Sequence, residues 1–570
     1  MTRPATLSLL PEKRFWGWGY LDDGLTAAET VAARRLVQAF GRPGPDLVAP
    51  RLEEFALRAP RKPAPEALRD ILSATPYDRL THAYGKSFAD VARMWMRHAP
   101  HAPDWVAYPR SEEDIARILE WAAGANVAVV PFGGGTSVVG GVEPDVGASY
   151  DATVSLDMER FNDIREIDRT SRAARIGAGM LGPALEAALR PHGLTLRHFP
   201  QSFQFSTVGG WIATRAGGHF ATLYTHIDDF VENTRVITPA GVFETRRLPG
   251  SGAGPAPDRL LIGSEGIFGV ITEAWMRLQD RPRFRASASV RFATVAKAVS
   301  CIRALSQSGL QPTNCRLLDA AEVAFARVGD GKTPTLILGF ESSDHPLDAW
   351  IARALELAAD HDGAWDAAEL ERSLRADDGS SAQREGSAGE WRNAFLRMPY
   401  WRDETTRLGA ILDTFESAVT WSGFDAFYDG VRTDVADAIE RVTGARTSLS
   451  CRFTHVYPDG PAPYFTFMAQ GDSDGKIGNA LARWRDIKAA CNEAVIRHGG
   501  TSTHHHAVGR DHRSGYEKEV PDLVRQAFAG AKSVLDPSGI MNPGVLIDPQ
   551  GRTVGITGAT RAGIGSPLAT

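Results

Sequence analysis

Three neighbouring histidines, His504, His505 and His506, have the side chains of this sequence best suited to proton chemistry. Imidazole titrates closest to neutral pH, so it both accepts and donates protons under ordinary conditions. The run lies between glycines, which predicts a loop, and alternate residues of an extended loop point the same way, so we expect His504 and His506 to share a face. Two other interpretations stay open. A metal site would need a third ligand that the neighbouring sequence does not supply, and imidazoles satisfied by backbone groups would be purely structural.

Three consecutive glycines, Gly133 to Gly135, form the second chemical feature, followed by the hydroxyl residues Thr136 and Ser137. The apolar run Val127–Val130 precedes them and predicts a buried strand. Glycines after a strand bring bare N–H groups against an anionic ligand, although a tight turn is the alternative. No lysine follows in the position that a Walker loop requires, and Val138 stands where the dinucleotide fingerprint needs glycine.

Two later segments repeat this combination of glycine and hydroxyl residues. One is Phe205-Ser-Thr-Val-Gly-Gly-Trp211, which continues to Gly218, and the other is Leu261-Ile-Gly-Ser-Glu-Gly-Ile-Phe-Gly269. Each segment alone is consistent with a turn. Together with the first loop, they predict a site for a large polar ligand.

Length and composition limit the class of protein. With 570 residues the chain exceeds a single core and should hold two to four domains. A net charge of −6 argues against nucleic-acid binding. The four cysteines form no CxxC pair or zinc spacing, no window has the roughly 20 apolar residues of a membrane span, and the first residues lack a secretory signal. We therefore expect a cytoplasmic protein.

The remaining pattern mixes helices and strands. Helical patterns cover residues 26–40 and 65–72. Ser111 is expected to cap a helix that runs to Ala123, since acidic residues follow it. The residue pattern of the sequence changes after Arg283, which we interpret as a domain boundary.

Several motifs resemble those of one flavoprotein superfamily. Pro131-Phe-Gly-Gly-Gly-Thr-Ser137, Phe205–Trp211, Thr214-Arg-Ala216 and Gly263-Ser-Glu-Gly-x-x-Gly-Val-Ile-Thr-Glu273 resemble the FAD-binding segments of the vanillyl-alcohol oxidase / p-cresol methylhydroxylase (PCMH) superfamily. Further matches resemble its alkyldihydroxyacetonephosphate synthase family: Gly17-Trp-Gly-Tyr20, Gly85-Lys-Ser87, Arg316-Leu-Leu-Asp319, Pro399-Tyr-Trp-Arg-Asp403 and Ser502-Thr-His-His-His-Ala-Val-Gly509. These matches occur in order between residues 14 and 546.

The resemblance implies an α+β fold. It comprises a two-subdomain FAD-binding domain of the PCMH type, an α+β cap domain and a helical N-terminal segment. The expected boundaries are 1–100 for the N-terminal segment, 101–282 for the FAD-binding domain, 283–490 for the cap or substrate domain, 491–550 for a C-terminal segment that closes the active site, and 551–570 for a loosely ordered tail.

The resemblance also implies the cofactor. FAD would lie with its pyrophosphate over Gly133–Ser137. Because the loop from Thr136 to Val142 contains neither His nor Cys, we expect the FAD to be noncovalent. The cofactor-binding residues implied are Pro131, Phe132, Gly133, Gly134, Gly135, Thr136, Ser137, Gln201, Ser202, Phe205, Ser206, Thr207, Gly210, Thr214, Arg215, Ala216, Gly217, Gly263, Ser264, Glu265, Gly266, Gly269, Ile271 and Arg316.

Catalytic and substrate residues are carried over in the same way. Tyr464 matches the family's active-site tyrosine, and the histidine triplet would move protons at the flavin. Arg402 matches a substrate-contacting arginine, although an arginine beside Asp403 is ordinarily a surface ion pair, and His198 is a further substrate residue. Two departures concern the substrate: Gln201 stands where the family usually has an acid, and Thr466 where it has a tyrosine.

Three functions are compatible with these residues. The family chemistry is redox-neutral: flavin N5 holds the dihydroxyacetone-phosphate carbon while acylate leaves and a fatty alcohol attacks, which is ether-lipid synthesis. The alternative is an FAD-linked oxidoreductase of a 2-hydroxy acid such as D-lactate or glycolate, or of another alcohol, which the ending Asp536-Pro-Ser-Gly-Ile-Met-Asn-Pro-Gly544 resembles. A non-catalytic FAD sensor is the third. The partners expected are a small-molecule or lipid substrate, a second copy in a homodimer and a peripheral membrane contact, without nucleic acid.

Overall fold

The computed structural model describes residues 6–552, except for 41–46, 221, 376–385, 448 and 472–476, and also residue 554. Within these residues helices and sheets are mixed, so the predicted α+β class is confirmed. The predicted tail, 551–570, lies almost entirely outside the described residues. None of the described helices is long and apolar enough to cross a membrane.

The first sheet positions the glycine loop. Its four strands lie in the order Leu72–Ser73, Trp105–Ala107, Ala152–Asp157 and Val127–Phe132. The last three are parallel to one another. Leu72–Ser73 pairs antiparallel with Trp105–Ala107, so this sheet begins before residue 101. The first four residues of Val127–Phe132 are buried, as expected for a continuous apolar run in a parallel sheet.

A second sheet completes the N-terminal half. Its five strands are antiparallel to their neighbours and share one hydrophobic core with the first sheet. They lie in the order Ile164–Asp168, Ala173–Gly177, Val270–Arg277, Val231–Thr238 and Gly241–Glu244, and Leu194–Thr195 pairs separately with Gln279–Asp280. The helices of this half are Ala27–Phe40, Pro76–Thr81, Phe88–Trp95, Glu112–Ala125, Gly182–Leu189, Val208–Thr214 and Asp258–Leu261.

The cap is built on a six-stranded antiparallel sheet with its own hydrophobic core. The strands lie in the order Phe284–Arg291, Thr335–Ser342, Asn314–Leu318, Ser450–Val456, Pro461–Gln470 and Ala410–Glu416. The helices that accompany them are Val295–Gln307, Ala320–Ala326, Asp348–Ala359, Ala367–Arg375, Gly386–Arg407, Phe424–Thr443 and Ile477–Arg497.

After the cap, the chain returns to the first sheet. Ile540 accepts a hydrogen bond from the Val129 N–H (2.8 Å), and Asn542 donates one to the Val129 carbonyl (2.8 Å). Met541 thereby forms a parallel bridge with Val129. The helices Arg513–Glu519 and Asp522–Leu535 connect this return to the histidine segment.

Local predictions differ in their outcome. Ser111 caps the helix Glu112–Ala125, accepting a hydrogen bond from the Asp114 N–H, so that prediction is confirmed. The helix predicted over 65–72 is wrong. Glu66–Leu68 forms a single 3₁₀ turn and Leu72 joins a strand, because the tertiary contact with Trp105–Ala107 overrides a short helical pattern.

Candidate active site

The loop Gly133–Ser137 extends directly from the strand Val127–Phe132. A Cβ on Gly134 would overlap the Phe205 carbonyl oxygen, and one on Gly133 would overlap the Thr207 hydroxyl, so the first and second segments approach too closely for side chains. Lys86 donates its backbone N–H to the Ser137 carbonyl (2.6 Å). The N–H groups of residues 134–137 have no acceptor among the described residues, which leaves them free for a ligand.

The loop borders a cavity with about 1510 Å³ of empty space, part of it open to solvent, and a side chamber with about 680 Å³ adjoins it. The predicted residues that line the main cavity are Gly133, Gly134, Gly135, Thr136, Ser137, Gln201, Ser202, Ser206, Thr207, Gly210, Thr214, Ala216, Gly217, Arg316, Arg402, Tyr464, His505 and His506. The predicted residues that line the chamber are Pro131, Phe132, Glu265, Gly266, Gly269 and Ile271, together with Gly133, Ser137, Thr207, Gly210 and Thr214.

Three arginines lie on the cap side of the main cavity: Arg316, Arg402 and Arg452. Arg402 pairs with Asp413 (3.1 Å) and not with its neighbour Asp403, and its side chain is 12% exposed, so the alternative of a surface ion pair is wrong. Arg452 pairs with the buried Glu322 (2.8 Å). Each arginine keeps at least one buried guanidinium nitrogen without a hydrogen-bond partner among the described residues.

Arg316 has the least compensated charge. One of its terminal nitrogens donates to the carbonyl of His219 (3.2 Å), while the two others have no partner and no carboxylate pairs with it in the described part of the chain. Burial, reinforced by Arg452, lowers the pKa of Arg316 to about 9. A buried cation without a counterion is costly, so this end of the cavity favours an anionic ligand.

Tyr464 projects from the strand Pro461–Gln470 into the same cavity. Its hydroxyl donates to Thr414 Oγ1 (3.0 Å), and the Arg452 guanidinium carbon lies 3.9 Å from the centre of its ring. The ring stacks on His505 with centroids 5.9 Å apart and meets His506 edge-on at 5.3 Å. The tyrosine hydroxyl and two imidazoles are thus neighbours on one wall.

A single buried carboxylate, Glu416, fixes the histidine segment. Its oxygens accept hydrogen bonds from the backbone N–H groups of His504 (2.7 Å), His505 (3.2 Å) and His506 (3.0 Å), and from the Thr503 hydroxyl (2.6 Å). Burial alone would raise the pKa of Glu416. The positive charge that His505 and His506 gain at acid pH and the hydrogen bond from the Thr503 hydroxyl outweigh burial and lower the pKa, so the carboxylate stays ionised.

The three imidazoles are neutral near physiological pH. Burial lowers the pKa of His505 to about 4 although Glu416 opposes the shift, and burial lowers the pKa of His504 and His506 well below the ordinary value. A neutral imidazole has one N–H and one bare nitrogen, which is the form needed to pass a proton.

The predicted arrangement of the triplet is only partly correct. His505 and His506 line the cavity, whereas His504 turns away from it, so the pair expected to share a face does not. The local backbone bends around Glu416 and is not extended. His504 contacts His226, Tyr457 and His505 behind the cavity wall. His455, His504 and His505 bring one ring nitrogen each within 4.8 Å of one another, so tertiary structure supplies the third ligand that the local sequence lacked.

Other predicted residues lie outside the cavity linings. His198 is buried between Trp211 and Phe230, with both ring nitrogens unpartnered among the described residues, so a substrate in the cavity does not reach it. Arg215 turns outward to Asp228 (2.9 Å). Gly263 packs against Arg215 and Ser264 is buried beside it, and neither lines the cavity or chamber; Phe205 borders a separate small cavity behind the glycine loop.

Sequence reasoning missed four residues of the site: Glu416, Thr414, Arg452 and His455. All four lie on cap strands, where polar residues interspersed with apolar ones resemble the alternation of any half-buried strand. The available signal was Arg452 and His455 on the strand Ser450–Val456, which proved fully buried, since charged residues are rarely buried without a partner.

Comparisons with known proteins identify both halves of the chain. Residues 103–246 match the FAD binding domain family, and residues 281–546 match the family described as "FAD linked oxidases, C-terminal domain". The two matches meet at the cavity, one on each wall. The chain therefore combines an FAD binding domain with an FAD-linked oxidase C-terminal domain.

Individual relatives are similar to this chain over most of its length. Alkyldihydroxyacetonephosphate synthase of Dictyostelium discoideum is 29% identical over 86% of this chain and 82% of the relative, and that of Trypanosoma brucei brucei is 29% identical over 87% and 83%. The mitochondrial D-lactate dehydrogenase [cytochrome] of Arabidopsis thaliana is 26% identical over 87% of this chain and 82% of the relative.

Solved structures agree on the fold. A structure of alkyldihydroxyacetonephosphate synthase superposes with a TM-score of 0.74 at 25% identity, covering 93% of this chain and 98% of that chain. p-Cresol methylhydroxylase superposes with a TM-score of 0.61 at 14% identity, over 92% and 98%, and this likeness shows the fold alone. The protein is an FAD-binding enzyme of the PCMH-type fold.

The residues present fit FAD. The free N–H groups and the closely packed glycines form a cradle for the pyrophosphate, and the chamber beyond the loop is mostly apolar, as a nucleoside requires. In the chamber wall, Glu265 accepts the N–H groups of Val508 (2.9 Å) and Gly509 (2.8 Å), while burial raises its pKa to about 7. The segment that follows the histidines is therefore tied to the cofactor chamber.

Proposed function

We propose that this FAD-binding enzyme acts as an alkyldihydroxyacetonephosphate synthase, exchanging the acyl group of acyl-dihydroxyacetone phosphate for a fatty alcohol. The observation that carries the proposal is the wall opposite the glycine loop. There, three arginines, one of them without a carboxylate partner among the described residues, share one cavity with proton-transferring groups and apolar side chains. A 2-hydroxy acid would use the cations but not the apolar surface.

Arginines provide the anion site. Arg402 lines the cavity, is held by Asp413 and by the carbonyl of Lys86 (2.8 Å), and keeps a buried Nε–H without a partner among the described residues. Arg316 adds a second, uncompensated guanidinium. Two guanidinium groups match the geometry and charge of a phosphate monoester.

Apolar side chains provide room for the hydrocarbon chains. Phe325, Phe395, Met398, Trp401 and Leu412 line the same cavity as the arginines. Burial of methylene groups contributes about 0.8 kcal/mol each. The long-chain acyl and alcohol substrates therefore gain affinity that a short hydroxy acid would lack.

Tyr464, His505 and His506 provide the proton transfers. The incoming alcohol must lose its hydroxyl proton, and a neutral imidazole is a suitable acceptor for it. When bound, FAD supplies an isoalloxazine ring that accepts and returns electron density at the substrate carbon. The chain's own residues hold the phosphate, exclude water and move the proton.

The proposal is tested with the FAD-loaded enzyme, acyl-dihydroxyacetone phosphate and radiolabelled hexadecanol. Alkyl-dihydroxyacetone phosphate and free fatty acid should form in equal amounts. A parallel arm mixes the enzyme with D-lactate and with glycolate under anaerobic conditions. Absence of alkyl product together with bleaching of the flavin by a hydroxy acid would replace the proposal with an oxidoreductase function.

We also propose that the enzyme works in the cytoplasm as a homodimer that contacts a membrane surface peripherally, because its two lipid substrates partition into bilayers. Light scattering after size-exclusion chromatography should give twice 61.7 kDa. Co-flotation with vesicles that contain hexadecanol should exceed flotation with vesicles that lack it. A monomer, or equal flotation, contradicts the respective part of this proposal.

A further inference from the structure

The proposed reaction releases a proton inside the cavity, beside buried side chains. Acyl-dihydroxyacetone phosphate and an alcohol yield an ether, a carboxylate and one proton, so each turnover must deliver that proton to solvent. The two imidazoles on the cavity wall, His505 and His506, are neutral and buried, and burial keeps the pKa of His505 at about 4, so that imidazole is a poor place to store a charge. An exit path for the proton is therefore needed.

A continuous line of ring nitrogens runs outward from the cavity. His505 lines the cavity, and its Nδ1 lies 3.1 Å from His504 Nδ1. His504 Nε2 lies 3.1 Å from His226 Nε2. His226 Nδ1 lies 3.1 Å from the Arg215 carbonyl oxygen, in a contact that is exposed to solvent.

The outer end fixes the position of every proton in the line. A carbonyl oxygen only accepts, so His226 carries its proton on Nδ1 and its Nε2 is bare. Tyr457 lies between the two rings, with its hydroxyl 2.9 Å from His226 Nε2 and 2.7 Å from His504 Nε2. The bare His226 Nε2, the Tyr457 hydroxyl and His504 Nε2 therefore form a triangle of three contacts. All three are satisfied together only when His504 carries its proton on Nε2 and donates it to His226 directly or through the tyrosine hydroxyl.

The proton positions of the inner part of the line, from His504 to the cavity, follow in the same way. With its proton on Nε2, His504 has a bare Nδ1, which must accept from His505 Nδ1–H. The ionised carboxylate of Glu416, 3.5 Å from His505 Nδ1, favours a proton at that nitrogen as well. The remaining nitrogen of His505, Nε2, is then bare and able to accept a proton from the cavity.

We propose that His505, His504 and His226 form a proton relay that connects the cavity with the protein surface in either direction and carries the proton released in the cavity to solvent. A proton that arrives at His505 Nε2 displaces Nδ1–H to His504 Nδ1. His504 then passes its Nε2–H to His226 Nε2, and the charge finishes on an imidazole that water can solvate. His504 and His226 act through His505 and are relay and positioning residues, not catalytic ones.

The neighbouring His455 does not compete for these protons. Its Nε2 donates to the Gly218 carbonyl (2.9 Å), which leaves Nδ1 bare and buried, facing the rings of His504 and His505. The same bare nitrogen could instead complete a metal site with those two residues. A bound metal would occupy the nitrogens that the relay uses, so the two possibilities exclude each other experimentally.

The test removes the outer imidazole. His226→Asn and His226→Gln keep a polar group near the Arg215 carbonyl but cannot accept a proton at one nitrogen and release one at another. His192→Asn is the matched control, because His192 is an exposed histidine bonded to Arg169 on the surface. FAD content and thermal unfolding verify that each variant is folded.

The inference rests on the proposed function, so the first readout is independent of substrate. Photochemical reduction of the bound FAD takes up protons, which a pH-indicator dye follows in time. Both His226 variants should slow this uptake about tenfold or more, and millimolar imidazole should restore it, while His192→Asn is unchanged. The second readout is alkyl exchange, where the turnover number should fall with little change in KM.

Two results would overturn the relay: unchanged proton uptake in folded, FAD-loaded His226 variants, or stoichiometric zinc in the purified wild-type protein. Slow uptake in the variants without alkyl exchange by the wild type would retain the relay and remove the proposed substrate. The experiments thus distinguish a failure of the relay from a failure of the proposed function.

Discussion

Glu416 shows how one buried charge sets the direction of several catalytic side chains by binding their backbone. Its carboxylate accepts three consecutive backbone N–H groups, which bends the chain so that His505 and His506 face the cavity and His504 faces away. The histidines themselves could be predicted from residue type, but their directions could not, because the carboxylate that sets them is separated from them by about 90 residues.

We expect Glu416→Gln to lower the free energy of unfolding at pH 7 by about 1–3 kcal/mol, because one fully buried acceptor is lost and an amide N–H₂ must face the backbone donors. The pKa of this carboxyl is held below its ordinary value of 4.5. Its contribution to stability is therefore complete above pH 4.5 and is lost progressively as the pH falls below that value.

Urea unfolding followed by tryptophan fluorescence between pH 7 and pH 3 measures this effect. The variant should lose less stability than the wild type over the acidic part of the range. Glu53→Gln, at an exposed position, is the control. Identical pH dependence in the wild type and Glu416→Gln would contradict the assignment.

Arg402→Met should raise KM for acyl-dihydroxyacetone phosphate about 10–100-fold while FAD content stays normal, because a charge-assisted hydrogen bond to phosphate contributes about 1.5–3 kcal/mol. Arg407→Met is a suitable control, since Arg407 belongs to the same helix and pairs with Glu404 outside the cavity lining. Steady-state kinetics with both variants tests the role. Loss of FAD in place of a change in KM would assign Arg402 to the cofactor.

At the scale of elements, the sequence predicts helices and strands best where one pattern of apolar and polar residues dominates a segment. The strand Val127–Phe132 and the cap of helix Glu112–Ala125 follow from an apolar run and from a serine before acidic residues. Residues 65–72 were misassigned because one short segment satisfied a helical pattern locally and a strand pairing globally. The close contact between the first two glycine segments is a tertiary property, yet it explains why both contain glycine.

Gly134→Ala tests that contact. The added methyl would overlap the Phe205 carbonyl, a backbone atom that cannot turn aside, so we expect the purified variant to contain less than half of the wild-type FAD. Gly124→Ala is the matched change, because nothing lies within 4 Å of its Cβ and it sits inside a helix, where alanine stabilises by about 0.5–1 kcal/mol.

The flavin-to-protein absorbance ratio and thermal unfolding report on both alanine variants. Gly124→Ala should keep its FAD and unfold at the wild-type temperature or above. Full FAD occupancy in Gly134→Ala would show that the two segments separate more easily than the structure indicates.

At the scale of the whole molecule, the cavity that fits FAD lies between residues from the N-terminal half of the chain and residues from the cap. We expect acid precipitation to release all of the flavin into the supernatant, since the loop at Thr136–Val142 contains neither His nor Cys for attachment. Removal of FAD should lower the unfolding temperature, and FAD at about 100 times its Kd should restore about 2.7 kcal/mol. Flavin that stays in the precipitate, or an unfolding temperature that ignores FAD, would contradict this expectation.

The return of the C-terminal segment to the first sheet also has a consequence for how the protein is made. Arg510, fully buried, donates to the carbonyl of Glu143, 367 residues earlier, and Asn542 donates to Gly141 and Glu265. At a synthesis rate of about 5–20 residues per second, the glycine loop waits roughly 20 to 70 seconds on the ribosome before its partners exist. During that interval the nascent chain exposes an unfinished flavin site, so supply of FAD and of folding assistance late in translation should set the yield of active enzyme.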